Sequence, residues 1–288
     1  MDRKCLTVQL WQKIGAGLVL AFDIGGSRIK AARGGQVLGE VPTPLTDFVA
    51  FSAAVRGFLT GGGRGVALSV TGIVPPEGPA KVANIPCRDG RDVVADLRAA
   101  LGLPILVVND ADCLAMAEAT EGAGRGHGNA FAVILGSGGG GGLVIDGRLL
   151  QGAGGFAGEW GHGPVIRDPA FACGCGQTGW LDTVGSARGL ERLHRHLAGQ
   201  DLTSLAILAR LDHGSSVAAM DLRLDLVSGV LSMVVNLVGC SVVPVGGGGG
   251  GIFCLKFAST TPSVSASAAS SPPAVPPRPT KPCPACIG

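Results

Sequence analysis

Residues whose types and spacing could do chemistry concentrate between positions 130 and 182. Glu159 and His162 stand three apart in G-E-W-G-H-G, flanked by glycines, so both side chains can project into one cleft. Cys173 and Cys175 follow in C-G-C-G. An imidazole with closely spaced thiolates suits a tetrahedral Zn²⁺. A closed structural site needs four ligands, and this spacing offers three, His162, Cys173 and Cys175; Trp180, five beyond Cys175, cannot ligate. The other reading is two free cysteines and an unrelated histidine. Just upstream, Leu135 runs into Gly136-Ser137-Gly138-Gly139-Gly140-Gly141-Gly142. Such a turn between strands lets the backbone approach an anion with its N–H groups; a flexible glycine loop is the alternative. Two more carboxylates stand out. Asp23 opens D-I-G-G-S-R-I-K, which gives an acid, then Gly25, Gly26 and Ser27, then Lys30. The carboxylate can order Mg²⁺ through water and the turn can meet phosphate oxygens, or the segment is a plain hairpin. Asp110 ends an apolar run, where ligands collect in open α/β sheets, or it is a helix N-cap.

These side chains need elements to hold them. Strand-length apolar runs occur at 18–22, 29–32, 36–41, 65–70, 104–108, 130–135, 143–145 and 241–245. Asp146-Gly147 is a hairpin turn signal. Helical spacing is expected over 47–59, with Phe48, Phe51, Val55 and Phe58 on one face, and over 89–101 and 113–120. It is also expected within 181–197, with Leu190, Leu193 and Leu197 as the apolar stripe, and over 201–210 and 217–239. His194 and His196, two apart, do not share a helix face and read as surface histidines. Leu226 to Leu255 carries no charge, but Asn236, Pro244 and six consecutive glycines make it a poor membrane span. A buried helix followed by a buried strand fits better.

Composition narrows the class. With 288 residues, 46% of them apolar, the chain can build one large or two ordinary domains. The net charge of +2 owes three cations to Lys256, Arg278 and Lys281; without them 20 basic and 21 acidic residues remain. No basic face suggests nucleic acid. Nine cysteines without a secretory signal point to reduced thiols and a cytoplasmic location. Residues 252–288 hold eight of the eighteen prolines among Ser and Ala, the composition of a disordered low-complexity tail.

Taken together, the motifs resemble those of the ROK family of bacterial sugar kinases, in the actin-like ATPase superfamily. The family's LGTGVGGG is similar to Leu135–Gly142, its G-E-x-G-H to Gly158–His162, and its C-x-C-G-x-x-G-C-x-E to Cys173–Asp182, with Trp180 for the third cysteine and Asp182 for the glutamate. Its N-D-A-N-C resembles Asn109–Cys113, with Asp112 departing. Thr71-Gly72-Ile73 and Ala83-Asn84-Ile85-Pro86 resemble sugar-facing loops, and Pro244–Gly248 the V-x-G-G-G adenosine loop. The resemblance covers roughly residues 18–250. It implies a two-domain, ribonuclease H-like α/β fold: a lead over 1–17, one domain over 18–108, a second, truncated one over 109–251, then the tail. It also implies Asp110 as general base, with Asn84, Asn109, Glu159, His162 and Asp182 on the sugar. Asp23, Gly25, Gly26, Ser27, Lys30, Ser137, Gly138, Gly246, Gly247 and Gly248 would hold ATP with Mg²⁺, and Zn²⁺ would organise His162. A carboxylate at 112 could raise the pKa of Asp110. The expected activity is phosphorylation of the 6-hydroxyl of N-acetylglucosamine or another hexose, in a homodimer. Glucokinase, N-acetylmannosamine kinase and an inactive remnant are the alternatives. About seventeen residues before the first strand are too few for the helix-turn-helix of the family's repressors.

Overall fold

A computed structural model describes residues 19–75, 78–82, 85–136 and 138–246, and the backbone of 253–257 and 264–265. Asn84, Ser137, Gly247 and Gly248, and most of the expected tail, lie outside the described residues. Strand β1 (Val19–Ile24), β2 (Arg28–Arg33) and β3 (Gln36–Pro42) form an antiparallel meander. Helix α1 (Phe48–Arg56) follows, started by Asp47, whose carboxylate accepts the N–H of Val49 at 2.8 Å and of Ala50 at 3.1 Å. Strand β4 (Gly65–Val70), helix α2 (Val93–Leu101) and strand β5 (Ile105–Asn109) complete the first sheet, in the order β3-β2-β1-β4-β5. Leu20, Phe22 and Ile24 alternate inward from β1 and pack with Phe51 and Val55 of α1. Ala21 and Asp23 are left on the open face.

Helix α3 (Asp110–Thr120) leads to a second sheet of β6 (Ala130–Leu135), β7 (Gly139–Ile145), β8 (Arg148–Leu150), β9 (Val242–Gly246), β10 (Phe253–Phe257) and β11 (Val264–Ser265). Between β8 and β9 lie α4 (Asp182–Gly185), α5 (Ala187–Ala198), α6 (Ser204–Leu208) and the long α7 (Gly214–Val238). The sheet order is β11-β10-β9-β6-β7-β8. In each sheet an antiparallel three-strand meander is joined, at its first strand, by a later parallel strand: β4 on β1, β9 on β6. Asp146 and Gly147, at φ 49° and 71°, make the tight β7–β8 turn their sequence predicts.

Several expectations are corrected. Gly139–Gly142 are not a turn but the first half of β7. His194 is buried rather than on the surface; its Nδ1 lies 3.1 Å from the Gln200 carbonyl and its Nε2 3.4 Å from Ser215 Oγ. These partners sit outside its helix, so helical spacing cannot reveal them. Leu197 is exposed, because α5 ends one residue later, with Gly199 beyond it in the left-handed region. The helix expected to be buried, now α7, packs Val230, Val234 and Val238 inward but leaves Leu224, Met233 and Leu237 exposed. Lack of charge says a helix is apolar, not how many of its faces are covered. Residues 253–257, expected to begin a disordered tail, form a strand on β9. No described helix is long and apolar enough to cross a membrane.

Candidate functional site

The parallel strands β1, β4 and β5 end side by side, with Ile24, Val70 and Asn109 in register. Their carboxyl ends deliver Asp23, Thr71 and Asp110 to one edge. The helix cap is Asn109, not Asp110: its Oδ1 accepts the N–H of Ala111 at 2.8 Å and of Asp112 at 3.3 Å, and its Nδ2 donates to the Gly72 carbonyl at 2.9 Å. Capping by the neighbour frees one oxygen of Asp110. Its Oδ1 takes the Ala111 N–H at 2.9 Å, and its Oδ2 meets the Thr71 hydroxyl at 3.3 Å. Burial pushes the Asp110 carboxyl above its ordinary value, opposed by those two donors and assisted by the Asp23 charge. The expected influence of Asp112 appears on Asp112 itself. It is buried, and desolvation, with the Glu159 and Asp110 charges adding, pushes it up to about 7.

The second sheet supplies the other wall through glycine-to-glycine packing. A Cβ on Gly158 would lie 2.5 Å from the Gly141 carbonyl, and one on Gly161 2.4 Å from the Gly139 carbonyl. The G-E-W-G-H loop therefore lies flat along β7, anchored by Trp160 Nε1 on the Gly140 carbonyl at 2.9 Å and by the Asp182 N–H on the Gly161 carbonyl at 2.9 Å. Glu159 and His162 project from it as a pair, Oε2 to Nδ1 at 3.3 Å, and this contact raises the His162 pKa against the cost of burial. Asp182 turns toward the glycine run, where its Oδ1 accepts the Gly139 N–H. Lys30 lies 3.9 Å from Asp23, both half in solvent. Gly246 ends β9 beside Ile134 of β6. Gly25, Gly26 and Ser27 form the β1–β2 turn, closed by the Gly25 N–H on the Arg28 carbonyl at 3.0 Å.

For a zinc ion, His162, Cys173 and Asp182 bring one donor atom each within 4.8 Å of one another. Cys175, expected as a ligand, is not in this group and is exposed. It sits on a surface turn beside the cluster, its thiol against that of Cys173 and within the field of His162. Trp180 fills the place of a fourth donor, with its indole edge-on to His162 at 4.8 Å between centroids and its Nε1 buried without a partner. One Asp182 oxygen is already engaged. This donor set does not fit a closed structural zinc. For Mg²⁺ the fit is better, since the Asp23 carboxylate is exposed at a strand end beside a glycine turn.

Thr71-Gly72-Ile73, expected as a sugar-facing loop, also supplies a partner of Asp110 that the sequence did not reveal, the Thr71 hydroxyl. Ser186 and Gly189 also have roles that spacing does not reveal. Ser186 caps α5 through the Gly189 N–H at 3.0 Å, and a Cβ on Gly189 would meet the Val184 carbonyl at 2.5 Å. Arg88, buried at the edge of the first core, carries no signal in the sequence.

Comparison with known proteins agrees with this geometry. The ROK family pattern matches residues 41–257. The N-acetylgalactosamine kinase AgaK of Shewanella sp. (strain ANA-3) is 33% identical over 247 residues, covering 79% of this chain and 80% of its own. An N-acetyl-D-glucosamine kinase of Escherichia coli O6:H1 is 33% identical over 250 residues, covering 79% and 82%. The crystal structure of a ROK family glucokinase from Streptomyces griseus, in complex with glucose and AMPPNP, superposes with a TM-score of 0.67 at 28% identity, covering 81% of this chain and 83% of its own. The chain belongs to the ROK family, and its two sheets have the actin-like ATPase fold that its motifs led one to expect.

Proposed function

We propose that this ROK protein is an ATP-dependent sugar kinase acting on the 6-hydroxyl of an N-acetylhexosamine or hexose, with N-acetyl-D-glucosamine as the preferred substrate. The observation that carries the reading is Asp110, held at the common end of three strands with one oxygen bonded only to the Thr71 hydroxyl. In this reading Asp110 accepts the proton of the sugar hydroxyl. The freed oxygen pair attacks the γ-phosphorus in line, and the bond from that phosphorus to the bridging oxygen breaks, releasing ADP. Transfer of this kind depends chiefly on positioning and charge stabilisation.

The remaining residues orient the reactants. Glu159 and His162 would hold sugar hydroxyls, together with Asn84. Asn109 and Asp182 would join them at the sugar, each held in place by backbone bonds, Asn109 at Gly72 and Ala111 and Asp182 through one oxygen at Gly139. The two glycine hairpins, at Gly25-Gly26-Ser27 with Lys30 and at Ser137-Gly138, would grip the phosphates, and Gly246–Gly248 the adenosine. Mg²⁺ near Asp23 would offset phosphate charge when bound. No step runs through zinc. We also propose two structural domains, one around each sheet, and a homodimer, which sedimentation would test.

A coupled ADP-release assay with N-acetylglucosamine, N-acetylgalactosamine, N-acetylmannosamine and glucose tests the reading. The highest kcat/KM should fall on N-acetylglucosamine. Absence of turnover on all four, with folded protein, would favour the second reading, an inactive remnant, for which the indole at position 180 is the specific support. Metal analysis should find well under one zinc per chain, rising in Trp180→Cys; full zinc in the unmodified protein would contradict the donor-set argument.

A further inference from the structure

Two of the five free cysteines among the described residues stand together. Cys87, Cys113 and Cys240 lie apart from one another, in the turn Pro86–Arg88, on α3 and just before β9. Cys173 and Cys175 share one tight turn, whose arms pair at residues 172 and 178. The Cys173 N–H donates to the Gln177 carbonyl at 2.7 Å, and the Gly176 N–H to the Cys173 carbonyl at 3.0 Å. Gly176, at φ 88°, takes the left-handed conformation that closes such a three-residue loop. Cys173 and Cys175 are therefore the first and third residues of a β-turn. Cα atoms so placed fall within the roughly 4.4–6.8 Å that a disulfide spans, and the two thiols lie against each other. Cys175 is exposed and Cys173 half-buried, so one sulfur meets solvent and the other stands behind it.

The surroundings leave this pair without a metal to hold. Trp180 stands against His162 where a fourth donor would be, and Cys175 is outside the group formed by His162, Cys173 and Asp182. The turn is fastened to the sugar-facing loop through backbone instead, by the Ile166 N–H on the Gly179 carbonyl at 2.9 Å and by the bridge between residues 164 and 180. Neither fastening engages the thiols.

We propose that Cys173 and Cys175 are a modification site, a dithiol that closes reversibly to a disulfide across the turn. The co-reactant is a small-molecule disulfide such as oxidised glutathione. The Cys175 thiolate attacks one sulfur of that disulfide, whose S–S bond breaks; the departing thiolate takes up the proton that Cys175 gave up. The Cys173 thiolate then attacks the Cys175 sulfur of the mixed disulfide, and the second glutathione leaves with the Cys173 proton. Two protein thiols are oxidised to one disulfide, and one small disulfide is reduced to two thiols. An exposed disulfide is readily reduced again, so the bond should follow the surrounding thiol poise rather than persist as a structural link. This chemistry needs neither sugar nor nucleotide, and so stands apart from the kinase reading.

The test is peptide mass analysis of the full chain after incubation with oxidised glutathione, alkylation and trypsin. Cleavage after Arg167 and Arg188 releases a peptide holding these two cysteines and no other. It should be unalkylated and lighter by two hydrogens, and should become doubly alkylated when dithiothreitol precedes the alkylation. Cys173→Ser should instead keep one glutathione on Cys175, because no second thiol is there to displace it. Zinc added beforehand should leave the wild-type reaction unchanged. Two free thiols after oxidation, a separate glutathione on each, a bond from either to another cysteine, or protection of the wild-type pair by zinc would overturn the proposal.

Discussion

The two sheets present the same hairpin twice and use its glycines for opposite purposes. Between β1 and β2, a Cβ on Gly26 would meet nothing within 4 Å. Between β6 and β7, a Cβ on Gly142 would lie 2.6 Å from the Ala111 carbonyl and 2.8 Å from Ala115 Cβ, and one on Gly141 2.7 Å from the Phe131 ring and 2.8 Å from Trp160. The first hairpin is open at Gly26, while a Cβ on Gly25 would lie 3.3 Å from the Arg28 carbonyl. The second is pressed between α3 on one face and the Trp160 loop on the other. Its glycines let the loop that carries Glu159 and His162, and the helix that Asp110 opens, pack closely on β7. A run of glycines is thus two different signals, and only the neighbours in space tell them apart.

The comparison can be broken or sharpened at four positions. The largest effect is expected at Asp110, which stands where the two regions meet. Asp110→Asn should cut kcat by about 10²–10⁴-fold while sugar affinity by calorimetry changes little. Turnover within tenfold of wild type would reject it as the base.

Next is Asp112, on the helix pressed against the second hairpin. Its folded pKa, near 7, stands above the unfolded value near 3.9. The raised value favours the protonated acid, so the stability it contributes is complete below the unfolded pKa and is lost as pH rises through the folded one. Asp112→Asn should therefore gain on the wild type between pH 4 and pH 8, by on the order of 2–4 kcal/mol, in urea denaturation. A difference that does not vary with pH would contradict the burial assigned to this carboxyl.

The glycines come last. Gly142→Ala should cost about 1–3 kcal/mol, since Ala111 belongs to a helix backbone that cannot give way locally. Gly26→Ala should change stability by less than about 0.5 kcal/mol and act instead on KM for ATP. Equal melting temperatures for the two variants would erase the distinction between the hairpins.

Much of this arrangement was legible in the residues. The motif spacing placed β1, β2, β4 and β5 within a residue or two, and a carboxylate after an apolar run marked the strand end at Asp110. What escaped was set by partners far along the chain. Gly139–Gly142 read as a turn because the pressure on them comes from Ala111, Ala115 and Trp160. Asp110 read as a possible cap because it stood just before the helix, and only the geometry shows Asn109 bonding the helix N–H groups. His194 looked like a surface residue until Gln200 and Ser215 were seen around it. Arg88 gave no signal, since a lone arginine in a turn is ordinarily solvated, and its burial over Phe51 exists only in three dimensions.

The most direct test of the central claim is a crystal structure of this chain with N-acetylglucosamine and a non-hydrolysable ATP analogue. An Asp110 oxygen should lie within hydrogen-bond reach, about 2.6–3.2 Å, of the sugar's 6-hydroxyl. The analogue's phosphates should rest on the Gly25-Gly26 turn. A 6-hydroxyl turned away from Asp110, or bonded to Asp112 in its place, would contradict the account.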